Sequence, residues 1–325
     1  MMQAYKVTSL LTTGLELGAF DQLADRPQSA SQVAAAIGVD PRGARILLDA
    51  LAAIGLVETD GDTYHLAPAS EMYLVRDRPE YVGDMARVFA SKWEWEAVRR
   101  LPEAVRRGGT VLDVHAETPE YAYWEDFATS VAAVAKPAAA ALAGVLHEWA
   151  SGHSRLDVLD VAAGHGLYGF TLACGHPRSR VWALDWPNVL HITRLHAAKL
   201  GLSDRARFIG GDMFEVELGG PYDLIIAGNV LHHFSEERCV TLLRRLACAT
   251  KPGGRIAVVG FALENLPPRQ DPAPYLFAVL MLVWTHGGEV HRLKVYHRML
   301  VESGFARPTV HRIAGLPFRI VVAER

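Results

Sequence analysis

Residues 156–185, LDVLDVAAGHGLYGFTLACGHPRSRVWALD, decide the fold. Leu156, Val158, Leu159 and Val161 make a short apolar run of the kind a buried strand uses. Ala162, Ala163, Gly164, His165 and Gly166 then give a turn of small residues, and residues 168–174 resume apolar character at helical spacing. Residues 181–184 read as a second buried strand, closed by Asp185. Gly164, Gly166 and Gly169 form a G-x-G-x-x-G pattern, with Asp185 lying 21 residues past the first of them. A turn without side chains lets a ligand approach the backbone, and an acid at the next strand end can accept from both ribose hydroxyls. The pattern predicts a cofactor that carries a nucleoside.

The segments downstream narrow the choice. Arg207, Phe208 and Ile209 read as a third strand, followed by Gly210, Gly211, Asp212, Met213 and Phe214. Residues 222–227 (YDLIIA) are a fourth strand that runs into Gly228, Asn229, Val230, Leu231, His232, His233 and Phe234. Together these resemble the S-adenosylmethionine-dependent methyltransferases, in particular the small-molecule O-methyltransferase family typified by plant phenylpropanoid and bacterial natural-product enzymes. The resemblance covers nearly the whole chain. A dinucleotide dehydrogenase, the rival on fold alone, gives no reason for GDMF after the third strand.

The resemblance implies an α/β fold: a class I methyltransferase domain, Rossmann-like with a seven-strand sheet whose last strand is antiparallel, preceded by an all-α, winged-helix dimerisation domain. It also implies a site. Asp160 opens the first motif, Gly164 and Gly166 turn around the methionine part, Asp185 with Trp186 takes the ribose, and Asp212 with Met213 holds the adenine. Gly228 and Asn229 flank the sulfonium. Ala162 departs from the pattern, standing where the family has its first glycine, and its methyl group narrows the approach to the cofactor's amino-acid end.

With 325 residues, half of them hydrophobic, the chain is long enough for about two domains. A net charge of −3 gives no argument for nucleic acid or an anionic membrane surface. No apolar run reaches a membrane span, and the start lacks a basic segment followed by an apolar stretch and a cleavage site, so a cytoplasmic protein is expected. Cys174, Cys239 and Cys248 fit no zinc or disulfide spacing and read as small core or helix residues. Among fourteen histidines no pair has a ligand spacing with a carboxylate partner on a recognisable motif, so no metal is expected.

Taken in order, residues 3–24 carry Leu10, Leu11, Leu15, Leu17, Phe20 and Leu23 around a helix, an apolar coverage broad enough to face a second subunit. A helix over 29–37 with Ser29 as cap, a second over 42–54 ending at Gly55, and a hairpin over 57–66 then make a winged helix. Such a module also serves DNA-binding regulators. Between residues 28 and 78, however, four arginines face seven acids, the opposite of a phosphate-contacting surface. The expected domains are therefore 1–78 for homodimerisation, 79–150 as a helical connector to the substrate pocket, and 151–325 for the cofactor. The connector reads as a helical stretch over 80–107 and a long alanine-rich helix over 130–149. Strands are expected over 255–261, 309–313 and 318–323, and a buried helix over 275–284.

Methyl transfer from a sulfonium is an in-line displacement, so placement dominates and a base helps if the acceptor is a phenol or alcohol. His232 matches the family's catalytic histidine, and His233 is assigned to structure. The acids that the family uses to orient that histidine fall on Gly260, where none is present, and on Glu289 after Gly287 and Gly288. Glu264 is near the first but out of register. Trp124, Phe127, Met281 and Trp284 are expected to line the acceptor pocket, which would hold a small, aromatic or polyketide-like metabolite. Three alternatives stay open at this stage: methylation at carbon or nitrogen, a non-methylating relative (hydroxylase, decarboxylase or pericyclase) that keeps the cofactor, and a winged-helix regulator with a degenerate enzyme domain.

Overall fold

The computed structural model describes residues 3–312 and 314–325. It consists of two compact units, one ending at Lys92 and the other running from Trp93 to Arg325.

The first unit opens with α1 (Ala4–Glu16) and α2 (Ala19–Leu23) rather than one helix over 3–24. Gly18, at φ 75°, breaks the run, because a left-handed residue is the inexpensive way to turn the chain there. The turn lets Phe20 and Leu23 join Leu15, Leu48 and Leu51 in one core, while Tyr5, Val7 and Leu17 stay exposed. Helix α3 (Ala30–Ile37) starts at a capping box between Ser29 and Gln32 and stops at left-handed Gly38. Asp40 caps α4 (Pro41–Ala53), whose first residue is a proline that has no N–H to lose. Antiparallel β1 (Val57–Thr59) and β2 (Tyr64–Leu66) complete the wing, followed by α5 (Pro68–Tyr73) and α6 (Ala86–Phe89). Tyr81 and Ala86 pack on this core, so residues 79–92 go with the first unit and not with the expected connector.

The stretch expected as helical over 80–107 is several short helices, with α7 (Lys92–Arg99) and α8 (Leu101–Arg107) parted at Arg100, because Pro102 has no N–H to continue the ladder of α7 and is tolerated only in the first turn of a new helix. Helices α9 (Tyr123–Ser130) and α10 (Ala132–Ser151) follow, and α10 lays Ala138, Leu142 and Leu146 against the sheet residues Val158 and Leu224. Then come β3 (Asp157–Val161), α11 (Leu167–Gly175), β4 (Arg180–Asp185), α12 (Pro187–Lys199), β5 (Ala206–Gly210), β6 (Tyr222–Gly228), α13 (Glu236–Cys248) and β7 (Thr250–Phe261). The chain closes with α14 (Pro272–Trp284), α15 (Leu293–Glu302), β8 (Ala306–Arg312) and β9 (Phe318–Glu324). Residue 313, expected to end β8, lies outside the described residues.

Among the described residues the large sheet has seven strands in the order β5-β4-β3-β6-β7-β9-β8. The strands from β5 to β7 pair in parallel and β9 runs antiparallel between β7 and β8. Strand order reverses between β3 and β6, which opens a crevice beyond their carboxyl ends, the usual ligand position in such sheets. Helix α14 is less buried than expected: Met281, Val283 and Trp284 face inward, but Leu276 is 70% exposed. Cys174 and Cys248 are helical but exposed, and Cys239 is in the core. No single helix among the described residues is long and apolar enough to cross a membrane.

Candidate active site

At the strand-order reversal lies an open cleft of about 920 Å³. Its floor is the turn after β3. Ala162 and Gly164 hold φ values of 52° and 54°, and a Cβ on Gly164 would meet nothing within 4 Å, so bare backbone faces the cleft. Gly166 does not line the cleft; a Cβ there would collide with the Phe170 ring, so glycine is required for α11 to start where it does. Gly169 plays the packing role, with its Cβ position 2.7 Å from Val181.

Asp185 ends β4 with both oxygens anchored, Oδ2 accepting Gly164 N–H at 2.7 Å and Oδ1 accepting Trp186 N–H at 2.7 Å. Burial raises its pKa to about 6. Asp212, after β5, accepts Phe214 N–H at 2.8 Å, and Met213 and Phe214 line the wall beside it. After β6, Gly228 lies so close to the Tyr168 ring that a Cβ would stand 2.7 Å away. Asn229, at φ 52°, donates from Nδ2 to the Tyr168 hydroxyl at 3.1 Å, and its Oδ1 is buried without a hydrogen-bond partner. Asp160 lies behind the cleft, accepting Gly169 N–H at 3.0 Å through Oδ2, with Oδ1 unpartnered and burial raising its pKa to about 7. The expected cofactor residues thus converge, seven in the wall and Asp160 and Gly166 supporting it from behind.

This donor set fits S-adenosylmethionine. A held carboxylate for ribose hydroxyls, a second carboxylate beside Met213, and bare backbone at Gly164 where the chain must be approached closely are what the cofactor requires. His165, Tyr168, Val189 and Arg238, which the sequence does not mark as site residues, also line the cleft.

The opposite wall is aromatic. Trp124 and Phe127, on the first turns of α9, meet edge to face with centroids 5.6 Å apart, and Trp124 Nε1 donates to Ala116 O at 3.1 Å. Met281 and Trp284 do not line the cleft. They are buried behind it, Trp284 against Tyr123 at 4.5 Å, because α14 turns its wide face into the core.

The two histidines exchange their expected positions. His233 lines the cleft, edge-on to Trp124 at 5.3 Å, with Nδ1 buried and unpartnered, and burial pushes its pKa down to about 4. His232 is turned away, 3% exposed, against the Phe277 ring at 4.8 Å, and burial holds its pKa well below the usual value. The short turn over Leu231–His233 sends successive side chains to different sides. A Cβ on Gly260 would lie 3.6 Å from Nδ1 of His232, so the expected acid position is beside that ring and holds no side chain. Glu289 does not orient His232. It is two-thirds exposed, with its carboxylate 3.3 Å from Nδ1 of His291. Glu264 is tied up with Arg312 and Arg319.

One grouping escaped the sequence reading: His115, Glu117 and His286 come together beside the cleft, which Glu117 lines. The first two stand two residues apart in sequence, but the third is remote, so no local spacing announces them.

Comparison with known proteins bears on the same regions. A family model of the O-methyltransferase domain matches residues 153–306, and one of the O-methyltransferase dimerisation domain matches residues 1–76. The chain is 31% identical to the tetracenomycin polyketide synthesis 8-O-methyl transferase TcmO of Streptomyces glaucescens, over 97% of this chain and 92% of that protein. The crystal structure of a protein from Nostoc punctiforme assigned to the O-methyltransferases superposes with a TM-score of 0.93 at 28% identity, covering 100% of this chain and 97% of the other. PigF with S-adenosylhomocysteine gives 0.85 at 26% identity, covering 100% and 97%.

Proposed function

Since the chain belongs to the S-adenosylmethionine-dependent O-methyltransferase family and matches both its domains, we propose that it methylates an oxygen of a small aromatic or polyketide-like metabolite, working as a cytoplasmic homodimer. The observation that carries this reading is one cleft whose wall joins Asp185, Asp212 and Asn229 to the aromatic pair Trp124 and Phe127. The bound cofactor supplies an electrophilic methyl group, which passes from sulfur to the acceptor oxygen and leaves S-adenosylhomocysteine. What remains for the chain is to hold the acceptor in line, keep water out, and take a proton.

Trp124 and Phe127 offer an acceptor a flat apolar surface. His233 takes the proton, because it is the imidazole in the wall, and His232 backs it at 4.6 Å. With a pKa near 4 it is neutral at working pH but only weakly basic, and no carboxylate steadies the pair because position 260 is glycine. Such a site suits hydroxyls that are acidic in their own right, as in phenols conjugated to a carbonyl, and disfavours plain alcohols.

The test is a mass-spectrometric assay with S-adenosylmethionine and hydroxylated aromatic polyketides that span a range of hydroxyl acidity. Acidic phenols should gain one methyl, and His233→Ala should lower kcat by about tenfold or more with S-adenosylhomocysteine affinity unchanged. Full turnover in His233→Ala together with its loss in His232→Ala would return the base to His232. Methylation of carbon or nitrogen in place of oxygen would overturn the reaction assigned.

A further inference from the structure

We propose that His115, Glu117 and His286 bind a divalent transition-metal ion of the zinc class at the rim of the cleft. One ligand atom from each lies within 4.8 Å of the others. The two imidazole centroids are 4.5 Å apart with planes at 85°. Two imidazoles that share one tetrahedral ion at Zn–N distances of about 2 Å have centroids roughly 5 Å apart, so the rings need to part by only about half an ångström to admit it. Glu117 Oε1 lies 3.4 Å from Nδ1 of His286 and accepts the His286 backbone N–H at 2.7 Å.

The backbone that carries the three donors is held in place before any ion arrives. Thr110 N–H donates to Thr285 O at 2.8 Å, Ala116 N–H to Trp284 O at 3.1 Å, and His115 N–H to the Thr118 hydroxyl at 3.0 Å. Residues 110–118 are thereby stitched to the end of α14, and closing the cluster onto an ion needs only side-chain rotation of exposed His286. Glu117 Oε2 faces the guanidinium of Arg238 at 3.4 Å, the cation an arriving ion must compete with, and Arg238 keeps the rings of Phe214 and Phe234 as alternative partners. The Glu117 backbone N–H points to Nδ1 of His115 at 3.3 Å, a long contact that an ion would replace.

Two imidazoles and one carboxylate suit zinc and leave a coordination position for water or for an oxygen of a molecule in the cleft. Methyl transfer does not require this ion, so the site stands or falls apart from the proposed reaction.

The experiment is calorimetric titration of chelator-treated full-length protein with zinc chloride, repeated with cobalt(II) and followed by visible absorption. The expected result is one ion per chain with micromolar Kd, weakened at least about tenfold in both His286→Ala and Glu117→Gln. His286 is on the surface, so its variant should melt at the wild-type temperature, which separates ligand loss from unfolding. Absence of binding below millimolar zinc, or wild-type affinity in His286→Ala, would overturn the site.

Discussion

Ala162 keeps a β-carbon at φ 52°, in a region of backbone space where glycine is at ease and other residues carry a cost of about 1–2 kcal/mol. The sequence marks it as a departure from the glycine pattern, and the structure gives the departure a price in strain as well as in space. Ala162→Gly should therefore stabilise the protein by about 1 kcal/mol, less whatever the added unfolded-state freedom removes. A melting curve that rises by a few degrees is expected; a fall would mean that the methyl's contacts outweigh the strain. At this scale the cofactor residues were legible because Asp185, Asp212 and Asn229 follow strand ends, where chain direction is set by the strand itself. The histidine pair was not. Which of two adjacent rings enters a cleft depends on the dihedrals of a three-residue turn, and apolar periodicity says nothing about those. Glu289 failed for a related reason: position after Gly287 and Gly288 does not reveal that the loop sends its side chain toward His291 and solvent.

Strands were legible in the sequence where burial on both faces leaves near-continuous apolar runs, as in β3, β4 and β6. Helix breaks were harder. The turn at Gly18 and the division between α7 and α8 lie inside segments whose apolar spacing continues across the break, so periodicity alone joins them. The turn between β3 and α11 is the element on which the site depends, and it tolerates least. Gly166→Ala places a β-carbon on the Phe170 ring at φ 73°. It should cost about 2–4 kcal/mol by the combined effect of overpacking and backbone strain. Denaturant unfolding with a midpoint close to wild type would contradict the account of this turn.

At the scale of the whole molecule, the first unit leaves Tyr5, Val7 and Leu17 exposed within the residues 1–76 that match the family's dimerisation domain. Light scattering should give twice the chain mass of 35.6 kDa at micromolar concentration. A monomer would require another reason for that apolar surface. The winged helix and the alternation of strands and helices follow from local patterns and were within reach of the sequence, whereas the seven-strand sheet came from the family resemblance and the boundary at Lys92 was missed. The grouping of His115, Glu117 and His286 was not within reach, because the chain must close around the sheet before its third member arrives. The claim on which the rest depends is that the cleft at the strand-order reversal holds S-adenosylmethionine through Asp185. The most direct measurement is calorimetric titration with S-adenosylhomocysteine, for wild type and Asp185→Ala, between pH 5 and 8. Because burial holds the Asp185 carboxyl at about 6, wild-type affinity should be full above that value and weaken as pH falls through it, when protonation removes its acceptor capacity. Asp185→Ala should bind about a hundredfold more weakly, on the scale of losing two charge-assisted hydrogen bonds. Equal affinity in the two proteins would contradict the assignment of the cleft.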